Sequence, residues 1–218
     1  RAEDPPKPLT EIAGRTLLDR LLDRLEAGGM TRIVINLHHK ADRITGHLAQ
    51  RDGVEIVFSD ERARLLETGG GVKKALPLLG DEPFFVCNGD IIWQENADIL
   101  AALHAHFDAH RMDALLMLAP LAACTGYDGQ GDFERHGDGR LTRARSAQAA
   151  FVFCGVQILS PAAFDATPEG AFSLNHIYDS AAATGRLYGA VLDGRWMHVG
   201  TPEGVRAAET ILAAGRPD

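Results

Sequence analysis

The chain has 218 residues, 45% of them hydrophobic and 24% charged, with a formal net charge of −8. Such a chain buries enough apolar surface to fold as one sizeable domain, so collagen-like, coiled-coil and disordered readings fall away. The acidic balance argues against a nucleic-acid groove built on phosphate neutralisation, while a local basic cluster can still hold a small phosphorylated ligand.

Taken in chain order, the first feature is Pro6-Lys7-Pro8-Leu9, where prolines on both sides of the lysine predict a stiff, extended segment that presents its ammonium. Leu17, Leu18, Leu21, Leu22 and Leu25 fall on one helical stripe with Asp19, Arg20, Asp23 and Arg24 between them, and Gly28-Gly29 ends the helix. Ile33 to Leu37 and Val54 to Phe58 read as strands, joined through a helix carrying Ile44 and Leu48. Past Gly69 to Gly71 a helix is expected over Val72 to Leu79, followed by a strand at Pro83 to Cys87 that is buried on both faces. Asp98 to His110 predicts a helix and Ala114 to Leu118 a strand. Ala119 to Arg145, rich in glycine and aspartate, predicts hairpins or an insertion. Phe151 to Leu159 reads as a strand, Asn175 to Thr184 as a helix and Leu187 to Leu192 as a strand. Pro202 to Ala214 closes the set as a helix, with Thr201 its N-cap and proline at the first helical position. Strands alternating with helices predict a Rossmann-like three-layer α/β/α sandwich around a mostly parallel mixed sheet, with ligands beyond the carboxyl ends of the strands.

Cys87, Cys124 and Cys154 are odd in number and lack C-x-x-C spacing, which predicts free thiols in a reducing cytoplasm. No stretch of about 18 apolar residues and no signal-peptide pattern is present, so neither a membrane span nor export is expected.

Four segments carry candidate chemistry. Asn88-Gly89-Asp90 directly follows a strand, where a carboxylate at the sheet rim can hold a hard divalent cation bound to phosphates; the plain alternative is a turn cap. Glu67-Thr68-Gly69-Gly70-Gly71 has neither the P-loop nor the G-x-G-x-x-G spacing, but its glycines allow backbone to approach a base or phosphate; the plain alternative is a flexible turn. Lys7 can neutralise phosphate charge, or simply sit exposed at a proline-rich terminus. His198, inside Trp196 to Thr201, can be a ligand, a proton carrier or a packed core histidine. His106 and His110 have helical i, i+4 spacing without a third ligand, so a solvated face is expected rather than zinc, and the same holds for His38-His39.

In this order the segments resemble the sugar-phosphate nucleotidyltransferase family, in which a glycine-rich signature runs on to a P-K-P-L ending. Glu67 to Gly71, Asn88 to Asp90, Gly131-Asp132-Phe133 and Trp196 to Thr201 are similar in order and spacing to its N-acetylmuramate 1-phosphate uridylyltransferase branch, which serves peptidoglycan recycling. The resemblance implies the nucleotide-diphospho-sugar transferase type of fold, a nucleoside triphosphate and a sugar 1-phosphate as substrates, and pyrophosphate release; the acidic charge and the lack of an apolar span add the expectation of no nucleic-acid or membrane partner, and a monomer or homodimer is expected. Lys7 and Asp90 would be catalytic, and Glu67, Thr68, Gly69, Gly70, Gly71 and Asn88 would hold the nucleotide. Gly89, Asp132, Gly155 and Asn175 would meet the sugar, and Asp90 with His198 would bind the metal. Two departures carry expectations of their own. The glycine-rich signature and opening strand are missing ahead of Pro6, so the chain reads as one nucleotidyltransferase domain, 1–218, without them. The family's usual second carboxylate before Val199-Gly200-Thr201 is replaced by His198, so the Mg2+ of the family could give way to Mn2+ or Co2+. A GDP-sugar-forming guanylyltransferase and a non-catalytic nucleotide-sugar-binding regulatory domain are the alternatives.

Overall fold

A computed structural model describes residues 5–144 and 148–214. Its elements, in order, are β1 (Glu11–Ile12), β2 (Arg15–Thr16), α1 (Leu17–Ala27), β3 (Arg32–Leu37), α2 (Ala41–Leu48), β4 (Glu55–Asp60), α3 (Glu67–Leu79), β5 (Phe84–Cys87) and β6 (Ile91–Glu95). Then come α4 (Ile99–His106), β7 (Ala114–Pro120), β8 (Phe133–Arg135), β9 (Leu141–Arg143), β10 (Phe151–Leu159), α5 (Asn175–Ala183), β11 (Leu187–Val191), β12 (Gly194–His198) and α6 (Pro202–Ala214). Single 3-10 turns occupy Lys7–Leu9, Leu121–Ala123 and Pro161–Phe164.

Helix α1 shows how locally the sequence sets its elements. Thr16 caps it by accepting a hydrogen bond from the Asp19 N–H at 3.0 Å and donating to Asp19 Oδ2 at 2.7 Å. Its five buried leucines then divide among three apolar clusters, tying β3 and α2 on one side and β6 and α4 on the other to the same helix. Each leucine contributes on the order of 2 kcal/mol, so burial outweighs the cap in holding α1 in place.

The six-stranded sheet runs β11-β7-β10-β8-β9, with β5 pairing β10 as well. Strand β10 is antiparallel to both β5 and β7, and β11 is parallel to β7, so β5, β7 and β11 run one way and β10 runs against them. A parallel pair, β3–β4, and an antiparallel pair, β6–β12, complete the strands that frame the site. Strand β7 proves the layering: Leu115, Met117 and Ala119 pack with α1 and α4, while Ala114, Leu116 and Leu118 pack with α3 and α5. Helices therefore cover both faces of a mixed sheet, the three-layer α/β architecture expected from the alternation.

Four local expectations change. Lys7 lies in a 3-10 turn rather than an extended segment, because the Leu9 and Thr10 amides turn back onto the carbonyls of Pro6 and Lys7. Helix α3 begins at Glu67, so the glycine run is helical. Strand β5 is only half buried, since its ladder partner among the described strands is β10 on one edge. The predicted helix over Asp98 to His110 ends at His106, with Asp108 starting a turn whose carbonyl accepts from Arg111 and Met112.

Candidate active site

Gly155 sits at φ +80° where the β10–β7 register shifts between Phe153 and Gln157, and this bulge aims the Gly155 carbonyl at the end of β5. Asn88, the residue after β5, donates its N–H to that carbonyl at 2.8 Å. A Cβ on Gly155 would stand 3.0 Å from Asn88 Nδ2, so the backbone there closes onto Asn88 only because it carries no side chain. Gly89 next packs under Pro8, whose Cγ would be 3.3 Å from a Cβ at that position. The 3-10 turn holding Lys7 is thereby set beside Asp90. Strand β6 then pairs with β12 so that Ile91, which follows Asp90, lies directly opposite His198. Lys7 and Asp90 thus each stand one residue from the Pro8–Gly89 contact, and His198 lies across the ladder from the residue after Asp90.

Asp90 and His198 are half buried, Lys7 is exposed, and none of the three has a side-chain hydrogen bond or ion pair among the described residues. The imidazole of His198 is instead framed by rings. Tyr127 lies 6.2 Å away at 79° and Trp196 5.8 Å away at 43°, while Trp196 Nε1 donates to the Cys154 carbonyl. Burial, followed by the negative charge of Asp132, pushes the Tyr127 hydroxyl above its ordinary pKa. The same two causes push the Cys124 thiol up to about 11. Asp132 itself accepts the Phe153 N–H through Oδ2 at 2.9 Å, two residues before Gly155, which ties the sugar-side candidate Asp132 to the strand that carries Gly155.

The glycine run builds a second group. Gly69 and Gly70 both donate to the Phe172 carbonyl, at 2.8 and 3.0 Å, and Thr68 Oγ1 accepts from the Leu174 N–H at 2.9 Å. Those two amides are therefore turned into the protein, and the first turn of α3 meets the segment leading into α5. Asn175, the first residue of α5, is brought to the same place by its neighbour Leu174. Glu67 starts α3 at φ +58° with its side chain exposed. Gly71 lies against Glu61, a 5% exposed carboxylate whose Oε1 accepts from Asn36 Nδ2 at 2.6 Å.

Sequence reasoning passed over Tyr127 and Glu61. Tyr127 belongs to the irregular stretch between glycines, where no periodicity marks a residue. Glu61 carried only the weak signal of standing just past a strand end. His106 is exposed with its ring nitrogen on the Ala102 carbonyl, and His38 meets the Glu61 carbonyl, so neither gathers a metal set.

A family model described as the MobA-like NTP transferase domain matches residues 1–123. The chain is 44% identical over 217 residues to an N-acetylmuramate alpha-1-phosphate uridylyltransferase of Caulobacter vibrioides, covering 96% of this chain and 89% of that one. A protein of the same description from Neisseria meningitidis serogroup B is 33% identical over 218 residues, covering 96% and 90%. Among solved structures, HddC from Yersinia pseudotuberculosis complexed with GMP-PN superposes with a TM-score of 0.79 at 25% identity, covering 96% of this chain and 91% of that one. With a three-layer α/β fold and with these matches along its length, the chain belongs to the MobA-like NTP transferases and is a nucleotidyltransferase.

Proposed function

We propose that this enzyme joins UTP to N-acetylmuramate 1-phosphate and releases pyrophosphate, acting in the cytoplasm in peptidoglycan recycling. The observation that carries the reading is the pair of contacts next to these residues, Pro8 on Gly89 and His198 opposite Ile91, which brings the backbone at Lys7, Asp90 and His198 to one region. Both bacterial relatives named above are uridylyltransferases for that sugar phosphate.

The donor set fits a divalent cation that the substrate helps to bind. Asp90 and His198 are uncommitted by hydrogen bonds, and no group of three His, Cys, Asp or Glu among the described residues forms a closed metal cage. A cation completing its shell with phosphate oxygens and water suits such a half-site. When bound it would neutralise charge on the triphosphate. Imidazole at His198 favours Mn2+ or Co2+ over Mg2+ relative to a second carboxylate. Lys7 adds a further cation beside the phosphates, and Asn88 with Glu67 and Thr68 lines the nucleotide side. Asp132 and Gly155 line the sugar side, and Asn175, set beside Thr68 by its neighbour Leu174, joins it from the nucleotide side. Positioning and charge neutralisation suffice for attack of a sugar-phosphate oxygen on the α-phosphorus, with the pyrophosphate leaving and no covalent enzyme intermediate.

A guanine nucleotide is the second reading, favoured by the GMP-PN complex of the Yersinia neighbour. Pyrophosphate release from each nucleoside triphosphate, with a panel of sugar 1-phosphates and Mg2+, Mn2+ or Co2+, separates the two. UTP with N-acetylmuramate 1-phosphate is the expected best pair. A GTP preference installs the second reading, and activity only with some other nucleotide or sugar 1-phosphate overturns both.

A further inference from the structure

The His198 imidazole is held from several directions by residues to which no role has yet been given. Its backbone N–H donates to the Thr125 carbonyl at 2.8 Å, and Thr125 bridges to Met197, so the segment after the 3-10 turn at Leu121–Ala123 is laid along β12. Gly126, at φ +71°, sits so close that a Cβ there would stand 2.7 Å from the His198 carbonyl oxygen. That closeness delivers Tyr127 onto the imidazole edge-to-face, and Tyr127 also meets Trp196 at 5.8 Å and 66°. On another side a Cβ on Gly200 would stand 2.5 Å from His198 Nε2 and 3.0 Å from Cε1. The ring thus occupies space that only a glycine leaves open.

We infer that Gly200 and Tyr127 are positioning residues that fix the His198 imidazole in the orientation from which it meets the cation bound with Asp90. The inference rests on the reading of His198 as a ligand and goes beyond it. Gly200 comes so close to Nε2 and Cε1 that a side chain there would turn the ring aside, and that close approach is the distinctive feature here. Ligands held this way have their rotamer fixed before the cation arrives, so affinity is lost when the holding groups are altered even though no ligand is removed. The atoms nearest a Cβ on Gly200 belong to the end of a side chain rather than to backbone, so the chain can accept Gly200→Ala by letting the ring swing aside.

The test loads the full chain with Mn2+ and a non-hydrolysable UTP analogue, reading Mn2+ affinity by electron paramagnetic resonance titration and nitrogen coordination by electron spin-echo modulation. The unaltered protein is expected to show nitrogen coupling, and His198→Ala to lose it. Gly200→Ala should lose the coupling and bind Mn2+ about tenfold more weakly with its melting temperature kept. Tyr127→Ala should weaken Mn2+ binding in the same direction, and Tyr127→Phe, which keeps the ring, should restore it. Combining His198→Asp with Gly200→Ala should cost nothing beyond His198→Asp alone, because no imidazole remains to displace. Gly200→Ala with unaltered coupling and affinity, or a cost that simply adds to that of His198→Asp, overturns the inference while leaving His198 a ligand. Coupling that survives His198→Ala overturns the ligand reading itself and this inference with it.

Discussion

At the scale of single residues, Asp90 separates a binding role from a merely local one. A turn cap spends its carboxylate on nearby backbone amides, yet the Asp90 side chain has no hydrogen bond or ion pair among the described residues. Replacing it by asparagine keeps the shape of the turn and removes the negative charge. Stability should change by no more than about 0.5 kcal/mol, the range of surface substitutions away from special features. Pyrophosphate release should fall by about a hundredfold or more, the scale of losing one electrostatic partner of the reacting groups. An Asp90→Asn protein with close to full turnover would show that the carboxylate holds no cation. Asp90 was legible in the sequence because asparagine, glycine and aspartate directly after a short apolar run mark a strand rim. Tyr127 was not, since its only signal is a ring contact across a long span of chain.

At the scale of elements, β10 and α6 have the bounds that periodicity and the Thr201 cap predict, Phe151–Leu159 and Pro202–Ala214. Patterns confined to a dozen neighbouring residues are what a sequence displays. The β6–β12 pair escaped because it joins Ile91–Glu95 to Gly194–His198, and such distant pairing leaves no local trace. The glycine run was misread for a related reason. Alone it suggests a turn, but Phe172 and Gly170 reach α3 from far along the chain and require its first turn to be smooth. Gly70 makes this measurable. Alanine within a helix ordinarily gains roughly 0.5–1 kcal/mol over glycine. A Cβ on Gly70, however, would stand 2.1 Å from the Gly170 carbonyl oxygen, which is backbone and cannot turn aside. Overpacking of that kind costs roughly 1–3 kcal/mol, so the clash wins and Gly70→Ala should lower the urea midpoint. Gly46 in α2 is the control: nothing lies within 4 Å of its Cβ, so Gly46→Ala should raise the midpoint instead. Equal gains at both positions would mean that α3 does not dock on the 170–172 segment.

At the scale of the whole molecule, the thiols and the Tyr178 hydroxyl that hold their protons in the folded state bias stability against alkali. Burial pushes the Cys87 thiol up to about 12, and burial with the charge of Asp132 takes Cys124 to about 11, from an ordinary value of 9.0. Burial raises Cys154 and Tyr178 in the same direction. A group whose folded pKa is raised in this way keeps its proton in the native state after the unfolded chain has released it. Between the unfolded value and the folded one, the unfolded chain therefore binds fewer protons, and the free energy of unfolding falls as pH rises. Stability from these groups is complete below about pH 9 and drains away through pH 11 to 12. Asp19 works on the acid side. Burial opposes its ionisation, but hydrogen bonds from Thr16 and His47 and the charge of His47 lower its pKa on balance, so its contribution is present above the usual carboxylate range and lost as pH falls through the folded value. Urea midpoints measured from neutral pH upward should hold until the thiols of an unfolded chain begin to ionise and then decline. Cys87→Ala and Cys154→Ala should each make that decline shallower, because each removes one proton from the difference between the two states. A midpoint that stays level to pH 11, or a decline unaffected by both substitutions, would place the alkaline limit in some other group than these enclosed thiols.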